Sequence, residues 1–320
     1  MQDLYPRLLA DIGGTHTRFG WQAAPEGAIT AVQVLRSADY PTLLAAARAY
    51  LAGQGLAPPR AAALAVASMI TGDRVRMTNH HWQFSQRELQ AALGLQALRV
   101  INDFTALALA LPAIPPAQLR QVGGGQADPG AAVALLGPGT GLGVSGLLPD
   151  GRGGWVPIQG EGGHVTLPAS TPRERLVMEG LAALYGRVSA ERLLCGQGLL
   201  EACRILCAAD GVDARALHSP ADVTAAALAG SLPQAEETLS MFCALLGSVA
   251  GNLVLTLGAR GGLYLGGGIV PRLGDWFDRS PFRERFERKG RYREHLAGIP
   301  AWVITSAQSP ALLGVARALN

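Results

Sequence analysis

Asp11-Ile12-Gly13-Gly14-Thr15 is the stretch on which the reading of this chain turns. Apolar Leu8-Leu9-Ala10 runs into it and Arg18-Phe19-Gly20-Trp21 resumes after it, so the segment reads strand, tight turn, strand. Two glycines at the tip leave no Cβ to block close approach. With the Thr15 hydroxyl they offer backbone N–H groups to an anion. Asp11, at the end of its strand, has the chemistry to hold Mg²⁺ through water. One copy fits a phosphate hairpin and an ordinary tight turn about equally. A second copy changes the balance: residues 131–136 are apolar, Gly137-Pro138-Gly139-Thr140-Gly141 is a turn, and 142–148 are apolar again. Two such hairpins imply two related halves and a nucleotide held in a cleft between two domains. There is no G-x-x-x-x-G-K-[ST], and no G-x-G-x-x-G opens a first βαβ unit, which disfavours a P-loop and a dinucleotide site.

Outward from these hairpins, strands are expected at 31–35, 61–67, 98–101, 262–265 and 301–305. Helices are expected at 42–52, at 85–93 behind a Ser85 cap, at 104–111, through most of 163–257, and at 310–319. Strands mixed with helical crossovers indicate an α/β protein.

Composition narrows the classes. The chain has 320 residues, 49% hydrophobic and 16% charged, which is enough apolar material for two packed domains. Gly, at 41, is well above the usual share of about 7%, and it clusters instead of recurring every third residue. A net charge of +3 does not suit a nucleic-acid binder. The basic run 279–293, with Phe282 and Phe286 four apart, is expected to be an amphipathic helix with a solvated face. Residues 238–259 carry no charge, but Ser240, Gly247, Ser248, Gly251, Asn252 and Thr256 interrupt them, so a buried core helix is expected there and not a membrane span. Cys203 and Cys207, one helical turn apart, read as core in a reduced compartment. Asp3, Arg7 and Asp11 interrupt the N-terminal region, so no signal peptide is expected.

Four further groups carry chemistry. Asn102-Asp103 follows a strand and opens a helix; the pair fits an N-cap, and Asp103 fits a general base accepting a hydroxyl proton. Glu161-Gly162-Gly163-His164 combines a bidentate acceptor with an imidazole, which suits a polyol as well as a polar surface loop. A zinc site at His164 would need more ligands, and no Cys lies between His164 and Cys195, so zinc is not expected there. Glu191 stands where a cap-region carboxylate is the default. Gly266-Gly267-Gly268 ends a strand and would let backbone lie flat against a nucleobase, or simply turn tightly.

Taken together, these stretches resemble the bacterial ATP-dependent glucokinase family, of the type lacking the zinc-binding cysteines of the related ROK sugar kinases. Thr71-Gly72-Asp73, Met77-Thr78-Asn79-His80, Ile101-Asn102-Asp103-Phe104-Thr105-Ala106, Val188-Ser189-Ala190-Glu191-Arg192, Gly266-Gly267-Gly268-Ile269-Val270-Pro271 and residues 286–291 add to the two hairpins and Gly160-Glu161-Gly162-Gly163-His164-Val165, in order, over nearly the whole chain. His16, Met69 and His81 depart from the family pattern, which usually has Asn, Pro and Thr there.

The resemblance implies an α/β, actin-like (ribonuclease H-like) two-domain sugar kinase fold with an interdomain cleft. The small domain would comprise 1–112 plus 303–320, the large one 113–302. It implies a cytoplasmic homodimer that moves the γ-phosphoryl of Mg·ATP to the 6-hydroxyl of D-glucose, without structural zinc, nucleic acid or membrane. Carried over by position, Asp103 is the base, and Asn102, Asp103, Glu161, His164 and Glu191 bind the sugar. Asp11, Ile12, Gly13, Gly14, Thr15, Gly139, Thr140 and Gly141 surround the phosphates, with Asp11 on Mg²⁺ through water, while Gly267 and Gly268 approach the adenosine. Another hexose or polyphosphate as donor is the alternative within the class. A noncatalytic sugar sensor is the alternative outside it, disfavoured by the intact Asp103.

Overall fold

The computed structural model describes residues 4–78, 80–306 and 310–319; Asp3 and Asn79, both used above, lie outside the described residues. The chain divides into two compact units, Met1–Pro116 with Ser306–Asn320, and Ala117–Thr305.

The first unit is built on strands β1 (Arg7–Ile12), β2 (His16–Gln22), β3 (Ile29–Arg36), β4 (Ala61–Val66) and, after a short β5 (Arg74–Arg76) and β6 (Gln83–Ser85) ribbon, β7 (Ala97–Asn102). The sheet order is β3-β2-β1-β4-β7. β1, β2 and β3 are antiparallel neighbours, whereas β4 and β7 run parallel to β1. β4 is buried at all six positions, the continuous apolar run expected of a strand covered on both faces. β3, at the edge, alternates between half-buried and exposed. Period-two alternation sorts the core: Leu8, Ala10 and Ile12 face one cluster with Leu43, Ala46 and Tyr50, while Leu9 faces the other with Ala106, Leu312 and Val315. Helices Asp103–Ala110 and Ala311–Arg317 cover that second face.

The second unit contains β8 (Leu119–Val122), β9 (Val133–Pro138), β10 (Leu142–Pro149), β11 (Trp155–Gln159), β12 (Leu263–Leu265) and β13 (Ala301–Ile304). Its order is β11-β10-β9-β12-β13-β8. Three antiparallel strands are again followed by two parallel ones, with β8 added at the edge. The related halves read from the two glycine hairpins therefore share a sheet order.

Helix Pro233–Leu257 holds most of the uncharged run and buries Met241, Phe242, Leu245, Leu246 and Val249 in this unit's core. Gly258 ends it in the left-handed conformation at φ 61°. All four cysteines are free and buried.

The basic run is not one helix. It breaks into Asp275–Arg279, Phe282–Glu287 and Arg293–Ala297. Ser280-Pro281 interrupts the first junction and Gly290, at φ 57°, the second. Nor is its polar side uniformly solvated: Arg285 is buried and paired with Glu174 at 2.7 Å. Phe282 and Phe286 are both buried, with ring centroids 6.2 Å apart.

Candidate active site

In the first unit, Asp11 lies at the penultimate position of β1 and is half-buried, with Ile12 fully buried behind it. The turn closes when Gly13 N–H donates to the His16 carbonyl at 3.0 Å. Ser37 fastens it from outside: its Oγ donates to the Gly13 carbonyl at 3.1 Å and its N–H to the Thr15 carbonyl at 3.0 Å. Thr15 itself is exposed. Arg18, directly across the ladder from Asp11, donates through Nη1 to Asp11 Oδ2 at 3.4 Å. Sequence reasoning did not select Arg18. The hairpin register held the signal, since a two-strand ladder closed by this turn pairs the two residues.

Asn102 and Asp103 divide two duties. Asn102 is the N-cap of helix Asp103–Ala110: its Oδ1 accepts the N–H groups of Phe104 at 2.8 Å and Thr105 at 3.3 Å. Its Nδ2 donates to the Ser68 carbonyl at 3.3 Å. Asp103 is the first helical residue, half-buried, with Oδ1 accepting Phe104 N–H at 2.9 Å. A carboxylate in the first turn of a helix interacts favourably with the positive end of the helix dipole.

In the second unit the corresponding turn joins β9 to β10. Gly139 N–H donates to the Gly141 carbonyl at 2.8 Å, and the Gly139 carbonyl accepts Gly196 N–H at 2.9 Å. Thr140 is exposed at the tip. Gly267 and Gly268 are also exposed and run beside it: Gly267 sits at φ 75° with a side chain's space already filled by the Pro138 carbonyl, and Ile269 N–H donates to that carbonyl at 3.3 Å. Only glycine permits this approach of two backbone segments.

Glu161, exposed, precedes the short 3-10 turn Gly162–His164, whose glycines pack against Val144 and the Leu142 carbonyl at the start of β10. Ser189 caps the four-residue helix Ala190–Leu193 that carries Glu191. Ala190 N–H donates to the Val165 carbonyl at 2.8 Å, joining this helix to the turn. His164 Nε2 is 3.9 Å from Glu191 Oε1, and Glu191 Oε2 accepts Leu142 N–H at 2.8 Å. The second unit thus gathers Gly139, Gly267 and Gly268 into one backbone surface, and Gly141, His164 and Glu191 into a polar cluster. The first surface suits phosphates or a flat ring; the second suits hydroxyl groups.

Among the described residues no group of three or more His, Cys, Asp or Glu could hold a metal ion. A magnesium ion, which takes one or two carboxylates and completes its shell with phosphates and water, does not require such a group, and Asp11 beside the first hairpin fits it.

The chain is similar to the solved structure of a glucokinase from an Antarctic psychrotroph, with a TM-score of 0.87 and 35% identity over 98% of each chain. A ROK family glucokinase from Streptomyces griseus, solved with glucose and AMPPNP, shares the fold at a TM-score of 0.64 and 19% identity, over 98% of each chain. The fold is that of the actin-like two-domain sugar kinases. The chain is 54% identical to the glucokinase of Aromatoleum aromaticum over 99% of its own length and 96% of the relative's. The glucokinase family profile matches residues 8–320. The chain belongs to the glucokinase family, and with it to the ATP-dependent hexose kinases.

Proposed function

We propose that this enzyme transfers the γ-phosphoryl group of Mg·ATP to the 6-hydroxyl of D-glucose, with Asp103 as general base. The observation that carries the reading is the match to glucokinases over nearly the whole chain, together with a carboxylate, Asp103, at the head of a capped helix. Asp103 takes the 6-hydroxyl proton as that oxygen attacks phosphorus. Asn102 fixes where Asp103 stands by capping the helix, and also hydrogen-bonds the sugar. Glu161, His164 and Glu191 hold the remaining hydroxyls. Gly13 and Gly139, whose N–H groups close the two turns, shape the hairpins from which Gly14, Thr15, Thr140 and Gly141 direct donors at the phosphates, while Gly267 and Gly268 accept the adenosine. Asp11 would hold Mg²⁺ through water, and the bound ion would neutralise charge on the phosphate oxygens. Catalysis is then positioning plus electrostatics, with no covalent intermediate on the protein. We take the two compact units as the two domains, the working enzyme as a homodimer, and its compartment as the cytoplasm.

The test is ADP release from Mg·ATP with glucose, fructose, mannose, N-acetylglucosamine or no sugar, beside the Asp103→Asn variant. Glucose-dependent release, reduced on the order of 10²–10⁴-fold in the variant with sugar affinity retained, is expected. Near-normal turnover in Asp103→Asn removes Asp103 as the base. A stronger response to another hexose changes the substrate and keeps the mechanism.

A further inference from the structure

Glu191 touches two functional regions at once. One carboxylate oxygen, Oε2, accepts the N–H of Leu142, the first residue after Gly139-Thr140-Gly141, at 2.8 Å. The other, Oε1, faces His164 Nε2 at 3.9 Å. Gly141 makes this possible: a Cβ there would stand 2.5 Å from Glu191 Oε2 and 3.2 Å from its carboxyl carbon. The carboxylate therefore occupies the space that any larger residue at 141 would need. The base of Glu191 is held as well, because Ser189 Oγ accepts Arg192 N–H at 3.3 Å and Ala190 N–H donates to the Val165 carbonyl at 2.8 Å. Glu191 is thus a short strut between the hairpin and the turn that carries His164.

We infer that Glu191 is a positioning residue for the nucleotide hairpin as well as a sugar ligand, so that sugar and nucleotide affinities are coupled through one carboxylate and through the absence of a side chain at Gly141. The inference rests on the proposed assignment of the hairpin to phosphate and of Glu191 to sugar. When a sugar hydroxyl engages Oε1, Oε2 of the same carboxylate stays bonded to the Leu142 N–H and holds the hairpin in its phosphate-accepting shape. Conversely, a hairpin displaced at Gly141 drags or evicts the carboxylate from the sugar. A charge-assisted hydrogen bond of this kind is strong enough for its loss to be read as a clear change in affinity.

Isothermal titration of the whole protein with glucose alone and with Mg·AMPPNP alone tests this, using Gly141→Ala, Glu191→Ala, Glu191→Gln, the Gly141→Ala/Glu191→Ala double variant and Glu161→Gln. Glu191→Ala should weaken both ligands, each on the order of tenfold. Gly141→Ala should weaken glucose by a similar factor although Gly141 is on the nucleotide side. In the Glu191→Ala background, the Gly141→Ala change should add nothing to the glucose effect, because the oxygen it collides with is gone. Glu191→Gln keeps an acceptor for the Leu142 N–H and should restore nucleotide affinity towards wild type while glucose stays weak. Glu161→Gln should weaken glucose only. Thermal unfolding of each variant separates lost coupling from lost fold. Glucose affinity unchanged in Gly141→Ala, or nucleotide affinity unchanged in Glu191→Ala while glucose weakens, overturns the coupling and leaves the site assignment standing. Glucose affinity unchanged in Glu191→Ala overturns the sugar assignment and the coupling with it.

Discussion

Replacing Glu174 by Gln tests the contribution of one buried ion pair to the second unit. Glu174 closes the capping box of helix Pro172–Tyr185, its Oε2 accepting the N–H groups of Ser170 at 2.5 Å and Thr171 at 3.1 Å. Its Oε1 accepts Arg285 Nη1 at 2.7 Å, and the two side chains are only 3% and 9% exposed. Arg285 Nε donates in turn to Ser248 Oγ at 3.1 Å, tying the pair to the long core helix. Gln has the same shape and its one oxygen can still accept the capping bonds, but its NH2 then faces Arg285, so the change removes both the charge and the acceptor that Arg285 uses. It leaves the guanidinium buried without its counter-ion, a loss of about 3–5 kcal/mol. For a domain of this size each kcal/mol moves the midpoint by about 2–4 °C, so unfolding of the second unit should fall by about 6–20 °C. Scanning calorimetry of Glu174→Gln, Arg285→Met and the double variant measures it. The double variant should be more stable than Glu174→Gln, because no buried charge then remains unpaired. A midpoint shift under about 2 °C in Glu174→Gln, or a double variant no better than that single change, would refute the reasoning.

Burial, with a smaller contribution from neighbouring His81, holds the His80 imidazole below the usual His range. Its Nδ1 accepts the N–H of Trp82 at 3.3 Å, and the two imidazole rings lie 4.3 Å apart. A folded value below the unfolded one means this stability is present above about pH 6.5 and is lost as pH falls through the folded value. His80→Gln should therefore flatten the pH dependence of first-unit stability between about pH 7 and 5 in denaturant melts; an unchanged slope counts against it. Burial also raises the thiols, Cys207 to about 11 and Cys243 to about 12, so a thiol reagent at about pH 8 should react with the cysteines only after denaturation. Gly314 lets helix Ala311–Arg317 touch the Ala106 carbonyl, where a methyl group has no room. Gly314→Ala should lower first-unit stability by about 1–3 kcal/mol and lower kcat, since Ala106 belongs to the helix headed by Asp103; kcat left at the wild-type value would separate the two.

Much of this architecture is written in short-range signals. The two glycine hairpins, the all-apolar β4, the long uncharged helix and the caps at Ser85 and Asn102 each depend on residues a few positions apart. Turn stereochemistry, period-two or helical burial and N-cap hydrogen bonds all act over that range, so a linear reading can find them. The break-up of residues 279–293 was missed because Phe282 and Phe286 satisfy a helical period while Ser280-Pro281 and Gly290, close by, end the helices.

The site's internal connections are of another kind. Which strand lies beside which, and that both sheets share one order, follow from pairing between segments far apart in the chain. Glu191 reads locally as a cap-region carboxylate, yet its oxygen bonds a backbone N–H 49 positions away. Arg285 reads as part of a solvated basic face, yet it is buried against Glu174, 111 positions away. Residue identities were enough to name the groups that can carry phosphoryl transfer, because their chemistry is a property of each side chain. Which of them support one another is decided by tertiary packing. Burial, close approach at glycine and the hydrogen bonds left for each buried polar atom depend on what the rest of the chain brings alongside.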